Sequence, residues 1–243
     1  MHLQPVVWKD DWPVIGNDED GDGTGEPVLA YRKPNEGKTH PIVAPQTSDE
    51  FDGEGLGLQW QWHANYRQSW FSLSENKGKL RLFSQNPPDS ARSLWQTPNL
   101  LLQKLPAPEF AATTKISFHG NSNNEKSGLI VMGEDYAFLA LNRAAKGLEL
   151  QLCRCLNARE GGREEVEQAI AVDGHVFYLR VTVEAGGVCR FSFSHNGEDF
   201  ESIGKPFQAR AGRWIGAKVG LFALKSDSSQ ESGYADFDFF QIN

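Results

Sequence analysis

From Asp49 onward the chain is broken at intervals of about ten residues by Gly, Asn, Asp and Pro, and the stretches between the breaks are rich in β-branched and aromatic residues. No segment carries an apolar stripe of helical period flanked by caps. Such a pattern predicts many short antiparallel strands without crossover helices, and two packed sheets are the way such strands bury their apolar faces. The expected strands run from Leu56 to Trp62, Trp70 to Leu73, Lys79 to Phe83, Glu109 to Phe118, Gly128 to Met132, Tyr136 to Asn142, Leu148 to Leu156, Glu164 to Ile170, Val176 to Val183, Val188 to Ser194, Phe200 to Ile203, Ala217 to Leu224 and Gly233 to Ile242. His195-Asn196-Gly197-Glu198 reads as a hairpin turn. In the last strand Ala235, Phe237 and Phe239 alternate with Tyr234, Asp236 and Asp238, which places one face in a core and carboxylates on the other.

Residues 1–47 read differently. Short strands are expected at Val6 to Trp8, Pro13 to Gly16 and Pro27 to Tyr31, with an acidic glycine turn from Asn17 to Gly25. A hairpin of this size is marginal alone in water. The stretch from Arg32 to Thr47, with Pro34, Gly37, Pro41 and Pro45, reads as a linker. Charge divides the chain in the same way, since residues 1–50 hold ten acids against four bases and so carry most of the net charge of −8.

An acidic chain without a Lys/Arg cluster lacks the electrostatic footprint of a nucleic-acid binder. No apolar run approaches the roughly 18 residues of a membrane-spanning helix, and Met1-His2-Leu3-Gln4-Pro5 does not read as a signal peptide. No segment assigns a compartment. Cys153 and Cys155, two apart in one expected strand, are badly placed to bond to each other, and the odd count of three argues for free thiols packed as small apolar groups. No His/Cys spacing suits zinc, no HExxH or nucleophile elbow occurs, and Glu164-Glu165-Val166-Glu167 reads as a solvated strand face.

Several longer motifs carry a resemblance. Trp12-Pro-Val-Ile-Gly16, Leu56-Gly-Leu-Gln-Trp-Gln-Trp62, Thr97-Pro-Asn-Leu-Leu-Leu-Gln103, Gly128-Leu-Ile-Val-Met-Gly133, Gly212-Arg-Trp-Ile-Gly-Ala-Lys-Val-Gly-Leu-Phe222 and Gly233-Tyr-Ala-Asp-Phe-Asp238 together resemble the C-terminal part of glycoside hydrolase family 43 enzymes of the β-xylosidase/α-L-arabinofuranosidase type. The resemblance implies an all-β chain. Residues 1–47 would be the last strands and exit linker of a five-bladed β-propeller, and residues 48–243 a concanavalin A-like β-sandwich (jelly roll). The family's catalytic carboxylates lie on earlier blades, so the chain alone is expected to be a non-catalytic, carbohydrate-associated module. Its expected partners are the parent enzyme's catalytic propeller and xylan or arabinoxylan oligosaccharides. The alternative is a scaffold that binds no sugar.

Sugar rings stack on exposed Trp and Tyr, while amide side chains bond their hydroxyls. Trp60 and Trp62 share a face with Leu56 and Leu58, which favours a core position for Trp60. Trp62, nearer the strand end, is a candidate platform, as is Trp95 in the Pro-rich loop from Asn86 to Pro98. In the resembled enzymes the loop matching Asn86 to Asn99 reaches the substrate pocket; the β-xylosidase version carries a Phe near this point, where this chain has Leu94, Trp95, Thr97 and Pro98 instead. Gln59, Gln61, Asn65 and Asn99 are the expected hydroxyl partners, and Trp214 is expected to be structural. No cofactor is required. A structural calcium is expected, if anywhere, at Asp236 with Asp49, whereas Asp18-x-Asp20-x-Asp22-Gly23 lacks the closing acid of a calcium loop, its twelfth position being Leu29, and reads as an acidic hairpin tip.

Overall fold

The computed structural model describes residues 3–32, 37–39, 41, 43–226 and 232–243. Residues 33–36, 40 and 42 of the expected linker lie outside them. The chain divides into two compact units, Met1–Ala44 and Pro45–Asn243.

In the first unit β1 (Val6–Lys9) and β2 (Trp12–Ile15) pair antiparallel, with Lys9 opposite Trp12. The two-residue turn between them is Asp10-Asp11, both at positive φ, as a right-twisted hairpin requires. The acidic loop after β2 is closed by reciprocal backbone bonds between Asn17 and Glu26. The third strand expected at Pro27 to Tyr31 does not form; those residues are irregular. Trp8 and Trp12 are about 70% exposed, at 70% and 72%, and Val6, Val7 and Ile15 are also largely open.

The second unit is a sandwich of two seven-stranded antiparallel sheets. Its strands are β3 (Gln61–Trp62), β4 (Phe71–Ser72), β5 (Leu80–Phe83), β6 (Leu100–Lys104), β7 (Phe110–His119), β8 (Lys126–Met132), β9 (Tyr136–Ala144), β10 (Gly147–Cys155), β11 (Glu164–Val172), β12 (Val176–Glu184), β13 (Val188–Ser194), β14 (Glu201–Gln208), β15 (Lys218–Leu224) and β16 (Tyr234–Ile242). The first sheet runs β14-β13-β12-β7-β16-β5-β4 and the second β11-β10-β9-β8-β15-β6-β3. Leu80, Leu82, Ile116, Phe177, Leu179, Val181 and Phe237 from the first meet Leu129, Val131, Leu139, Leu141, Leu150, Val219 and Leu221 from the second. This interior is the main core.

The second sheet is buried on its outer face as well. Leu100, Leu102, Ile130, Tyr136, Phe138, Cys153, Cys155 and Phe222 form a separate apolar cluster there, roofed by Leu94 and Ala158 from two short 3-10 turns, Leu94–Gln96 and Ala158–Glu160. Ser93 Oγ donates to the Ala158 carbonyl at 2.8 Å, which joins the two turns, and Tyr136 Oη accepts from the Leu94 amide while donating to Glu164. Burial on both faces explains why β6, β8, β9 and β15 are nearly unbroken apolar runs rather than alternating ones. All three thiols are free and buried, with Cys153 and Cys155 in the outer cluster and Cys189 in the main core. Burial pushes the Cys153 and Cys189 thiols up to about 12, so they stay protonated and unreactive.

Three expectations change at this level. Only Gln61–Trp62 of the strand expected from Leu56 forms, and Leu58 lies fully open in the preceding loop. In β16 the pairing with β7 shifts register between Phe237 and Phe240, so Phe240 rather than Phe239 enters the core. Trp214, expected to be structural, is 85% exposed on a loop, with the Arg213 guanidinium 5.2 Å from its ring centre.

Candidate functional site

β3 ends the second sheet and β4 ends the first, so both stand at one lateral edge of the sandwich. The connection between them, residues 63–70, therefore steps from one sheet to the other and finishes in the 3-10 turn Gln68–Trp70. Its aromatics meet there. Trp62 stacks on Tyr66 with ring centres 6.1 Å apart and planes 17° from parallel. It also meets Trp70 edge-on at 5.5 Å and Phe71 at 5.5 Å. Trp70 is buried and fixes the group, while Tyr66 is 55% exposed and presents a ring to solvent.

Beneath the loop of residues 52–58 this edge opens into a cleft of about 850 Å³. Trp62, Tyr66 and Phe71 give it an aromatic wall, and Asp52, Gln68, Ser72 and Lys77 a polar one. A ring face beside scattered donors and acceptors is the arrangement that takes a pyranose, apolar on its faces and polar at its rim.

The sequence-predicted residues divide between two places. Trp62 lines the cleft, and Asn65 is exposed on the same connection. Gln61 is half-buried and, as the neighbour of Trp62 in a strand, points to the opposite face of the sheet. Gln59 turns away: its Nε2 donates to Asp49 Oδ2 at 3.2 Å and to the Ser48 carbonyl at 3.5 Å. Trp60 is buried against Phe51 and Phe240, as expected of a core residue, with its Nε1 donating to Asp49 Oδ2 at 2.8 Å. Trp95 packs half-buried against the outer cluster, its ring edge-on to His63 at 5.9 Å. Asn99 is 4% exposed, and its Nδ2 donates to the Ala223 carbonyl at 3.0 Å. Trp62 and Trp95 thus lie against opposite faces of one sheet, and a single sugar cannot stack on both. Burial of Asn99 likewise removes it from reach of a ligand. Tyr66 and Phe71 were missed by sequence reasoning, although four aromatics within ten residues of a polar connection, Trp62, Tyr66, Trp70 and Phe71, were the available signal.

The expected calcium ligands do not fit a cation. Asp236 gives Oδ1 to Arg81 Nε at 2.7 Å and Oδ2 to Arg81 Nη2 at 2.9 Å, with Asn76 Nδ2 also on Oδ2 at 2.7 Å. Asp49 accepts from the Phe51 amide, Trp60 and Gln59. A guanidinium already occupies the first carboxylate, and a second cation beside it would be repelled. Among the described residues the one grouping of carboxylates with metal-ligand spacing is Asp18, Asp20 and Asp22, whose oxygens lie within 4.8 Å of one another. Those oxygens serve the turn itself: Asp18 accepts from the Gly23 amide and Lys9, Asp20 from the Asp22 amide, and Asp22 from the Thr24 amide. In the segment Glu164 to Glu167, Glu164 binds Lys126 and Tyr136, and Glu167 faces Arg154 and the Lys205 amide.

Comparison with known proteins places this sandwich. The chain is 30% identical over 256 aligned residues to a β-xylosidase of Formosa agariphila, an alignment covering 98% of this chain and 41% of that protein. It is 31% identical over 140 residues to a non-reducing end α-L-arabinofuranosidase of Bacteroides ovatus, covering 55% of this chain and 23% of the relative. The chain thus spans less than half the length of these relatives. Among solved structures, the family 43 glycoside hydrolase BlXynB of Bacillus licheniformis has the same fold, with a TM-score of 0.73 at 24% identity over 98% of this chain and 46% of that one. The xylan β-1,4-xylosidase of Bacillus halodurans matches equally well, with a TM-score of 0.73 at 23% identity over 99% and 46% of the respective chains. Residues 48–243 match the family described as the β-xylosidase C-terminal concanavalin A-like domain, and the chain therefore belongs to that family of glycoside hydrolase family 43 sandwich domains.

Proposed function

We propose that this chain is a non-catalytic, carbohydrate-contacting module of a glycoside hydrolase acting on xylan or arabinoxylan, and that its sugar contact lies in the cleft between β3 and β4. The observation that carries the reading is the exposed Tyr66 ring stacked on Trp62 above an open, polar-rimmed cleft. The exposed ring of Tyr66 has no packing requirement of its own, because Trp62, Trp70 and Phe71 already fill the space beneath it. The first unit would be the end of a propeller. Its exposed Val6, Trp8, Trp12 and Ile15 support this, since a hairpin with that much open apolar surface fits a place beside further blades. The carboxylic acid and carboxylate base of glycoside hydrolysis would then reside in that larger part.

Isothermal calorimetry of the chain with xylo- and arabinoxylo-oligosaccharides tests the proposal. Saturable heat that is lost on Tyr66→Ala is expected. Absence of heat at millimolar sugar would favour a scaffold that stiffens its catalytic partner and contacts no glycan. Hydrolysis of aryl xylosides above the buffer blank, abolished by changing a carboxylate of this chain, would overturn the non-catalytic assignment.

A further inference from the structure

A second cleft, of about 580 Å³, opens at the end of the sandwich where β7 stops and β12 begins, beside the turn joining β9 to β10. Strand register assembles its titratable groups. His119, the last residue of β7, stands opposite Tyr234 of β16, and the Phe118 amide donates to the His175 carbonyl on the other side. The three rings consequently form a row, with His119 centred 4.8 Å from Tyr234 and 5.0 Å from His175. The β9–β10 hairpin adds Arg143 and Lys146 to the wall, and the turn before β12 adds Asp173, the single acid among the described residues that line the cleft.

Neither Arg143 nor Lys146 has a carboxylate at ion-pair distance among the described residues, and neither imidazole has a hydrogen-bond partner there. Four groups able to carry positive charge thus face one recess in a chain of net charge −8. Phe118, Leu148 and Val172 supply an apolar side to the same recess.

We propose that this cleft binds the carboxylate of an acidic sugar, a uronic acid unit, with Arg143 and Lys146 holding the anion and the apolar wall receiving the ring. Guanidinium suits the two oxygens of a carboxylate, and ammonium supplies a second point charge. The volume and the apolar side favour an anion borne on a ring over a bare oxyanion. The sugar half of the assignment rests on membership of a carbohydrate-hydrolase domain family and not on the aromatic cleft, so either site can fail without the other.

His119 makes the site pH-dependent. Burial holds His119 below its ordinary value, with His175 and Arg81 adding to the effect against the upward pull of Asp236. At neutral pH the two cations therefore act with a neutral His119 beside them. A bound carboxylate favours protonation of His119, so binding takes up a proton and tightens as pH falls below the ordinary histidine value.

The test is titration of the chain with sodium glucuronate at pH 8 and pH 6, followed by amide chemical shifts. Saturable shifts at residues 118–120, 143–147 and 173–175 are expected, with affinity rising roughly three- to tenfold at the lower pH. Arg143→Gln and Lys146→Gln, both at exposed side chains, should each weaken binding about tenfold, and His119→Gln should flatten the pH dependence while leaving binding in place. Neutral xylose should not shift these residues. Absence of saturable binding by the unmodified chain, indifference to both cation substitutions, or competition by inorganic phosphate as effective as glucuronate itself would each overturn the proposal.

Discussion

Arg81 grips both carboxylate oxygens of Asp236 in a two-pronged ion pair between adjacent strands β5 and β16, and its guanidinium lies 3.8 Å from the ring centre of Tyr234. Asp236 is 3% exposed, so this partner is what makes its charge tolerable. Arg81→Met should destabilise the sandwich by about 3 to 5 kcal/mol, because it leaves a buried carboxylate without its cation. Urea unfolding measures this directly. Arg81→Met combined with Asp236→Leu should recover much of the loss, whereas a purely local packing defect at Arg81 would not be rescued.

Acid should act on the same region. Burial alone would push the Asp236 carboxyl up, yet the bonds from Arg81 and Asn76 leave it below the usual aspartate range; Asp238 is likewise pushed up by burial but lowered overall by Lys115 and Lys79. A folded-state value below the unfolded one means that the unfolded chain takes up protons first as pH falls. The stability from these pairs is therefore complete above about pH 4, the ordinary aspartate value, and is lost as pH drops through the lowered folded values. A fall in melting temperature confined to the acid side of pH 4, and flattened by Asp238→Asn, is the expected record.

Tyr66→Ala should weaken xylo-oligosaccharide binding roughly five- to tenfold, the loss of one ring contact of about 1 kcal/mol, with little change in melting temperature because the ring is largely exposed. Trp62→Ala should cost both affinity and stability, since the same ring packs against the main core. A Tyr66 variant with unaltered affinity would move the sugar elsewhere.

The loop carrying Trp95 should loosen below neutrality. His63 Nε2 bonds to the Trp95 carbonyl at 2.8 Å, and burial holds the imidazole below its ordinary value despite that bond. The folded state thus prefers neutral His63, and this contribution is complete above about pH 6.5 and declines as pH falls below it. Amide exchange across residues 93–97 should be faster at pH 5.5 than at pH 7.5, relative to the intrinsic rates, and His63→Gln should remove the difference.

Chelation should leave the sandwich unchanged. With Asp236 paired to Arg81 and Asp49 committed to three internal donors, excess chelator should shift the melting temperature by less than about 1 °C, and added calcium should not raise it. A clear rise with calcium would restore the metal assignment at these carboxylates.

The sandwich was legible because its strands are short, branched and separated by turn residues, and all thirteen segments expected from Leu56 onward coincide with strands in whole or part. Leu100–Lys104 escaped because three consecutive leucines show no alternation; one faces the main core and two face the outer cluster. The Pro and Asn before it and the Pro after it were the bounding signals. Leu56 and Leu58 misled in the opposite sense, having the spacing of a strand without a neighbour to pair with. Trp95 looked like a free loop aromatic because nothing local reveals that the second sheet needs a roof. The aromatic cleft depends on which two strands end their sheets, a property of sheet order that no local pattern carries.

At the seam of the sandwich, Asp49 and Phe240 exchange backbone hydrogen bonds at 2.8 Å in each direction, and the Ile242 amide donates to Ser48 Oγ at 2.9 Å. The way into this unit and the way out of it are therefore the same spot on its surface. A polypeptide with that property can be reopened at an exposed hairpin and its old ends sewn together by a short linker, keeping every sheet contact. Tension applied through both ends would act at once on this seam and on the β7–β16 pairing, because Asn243 exchanges backbone hydrogen bonds with Ala111 beside it.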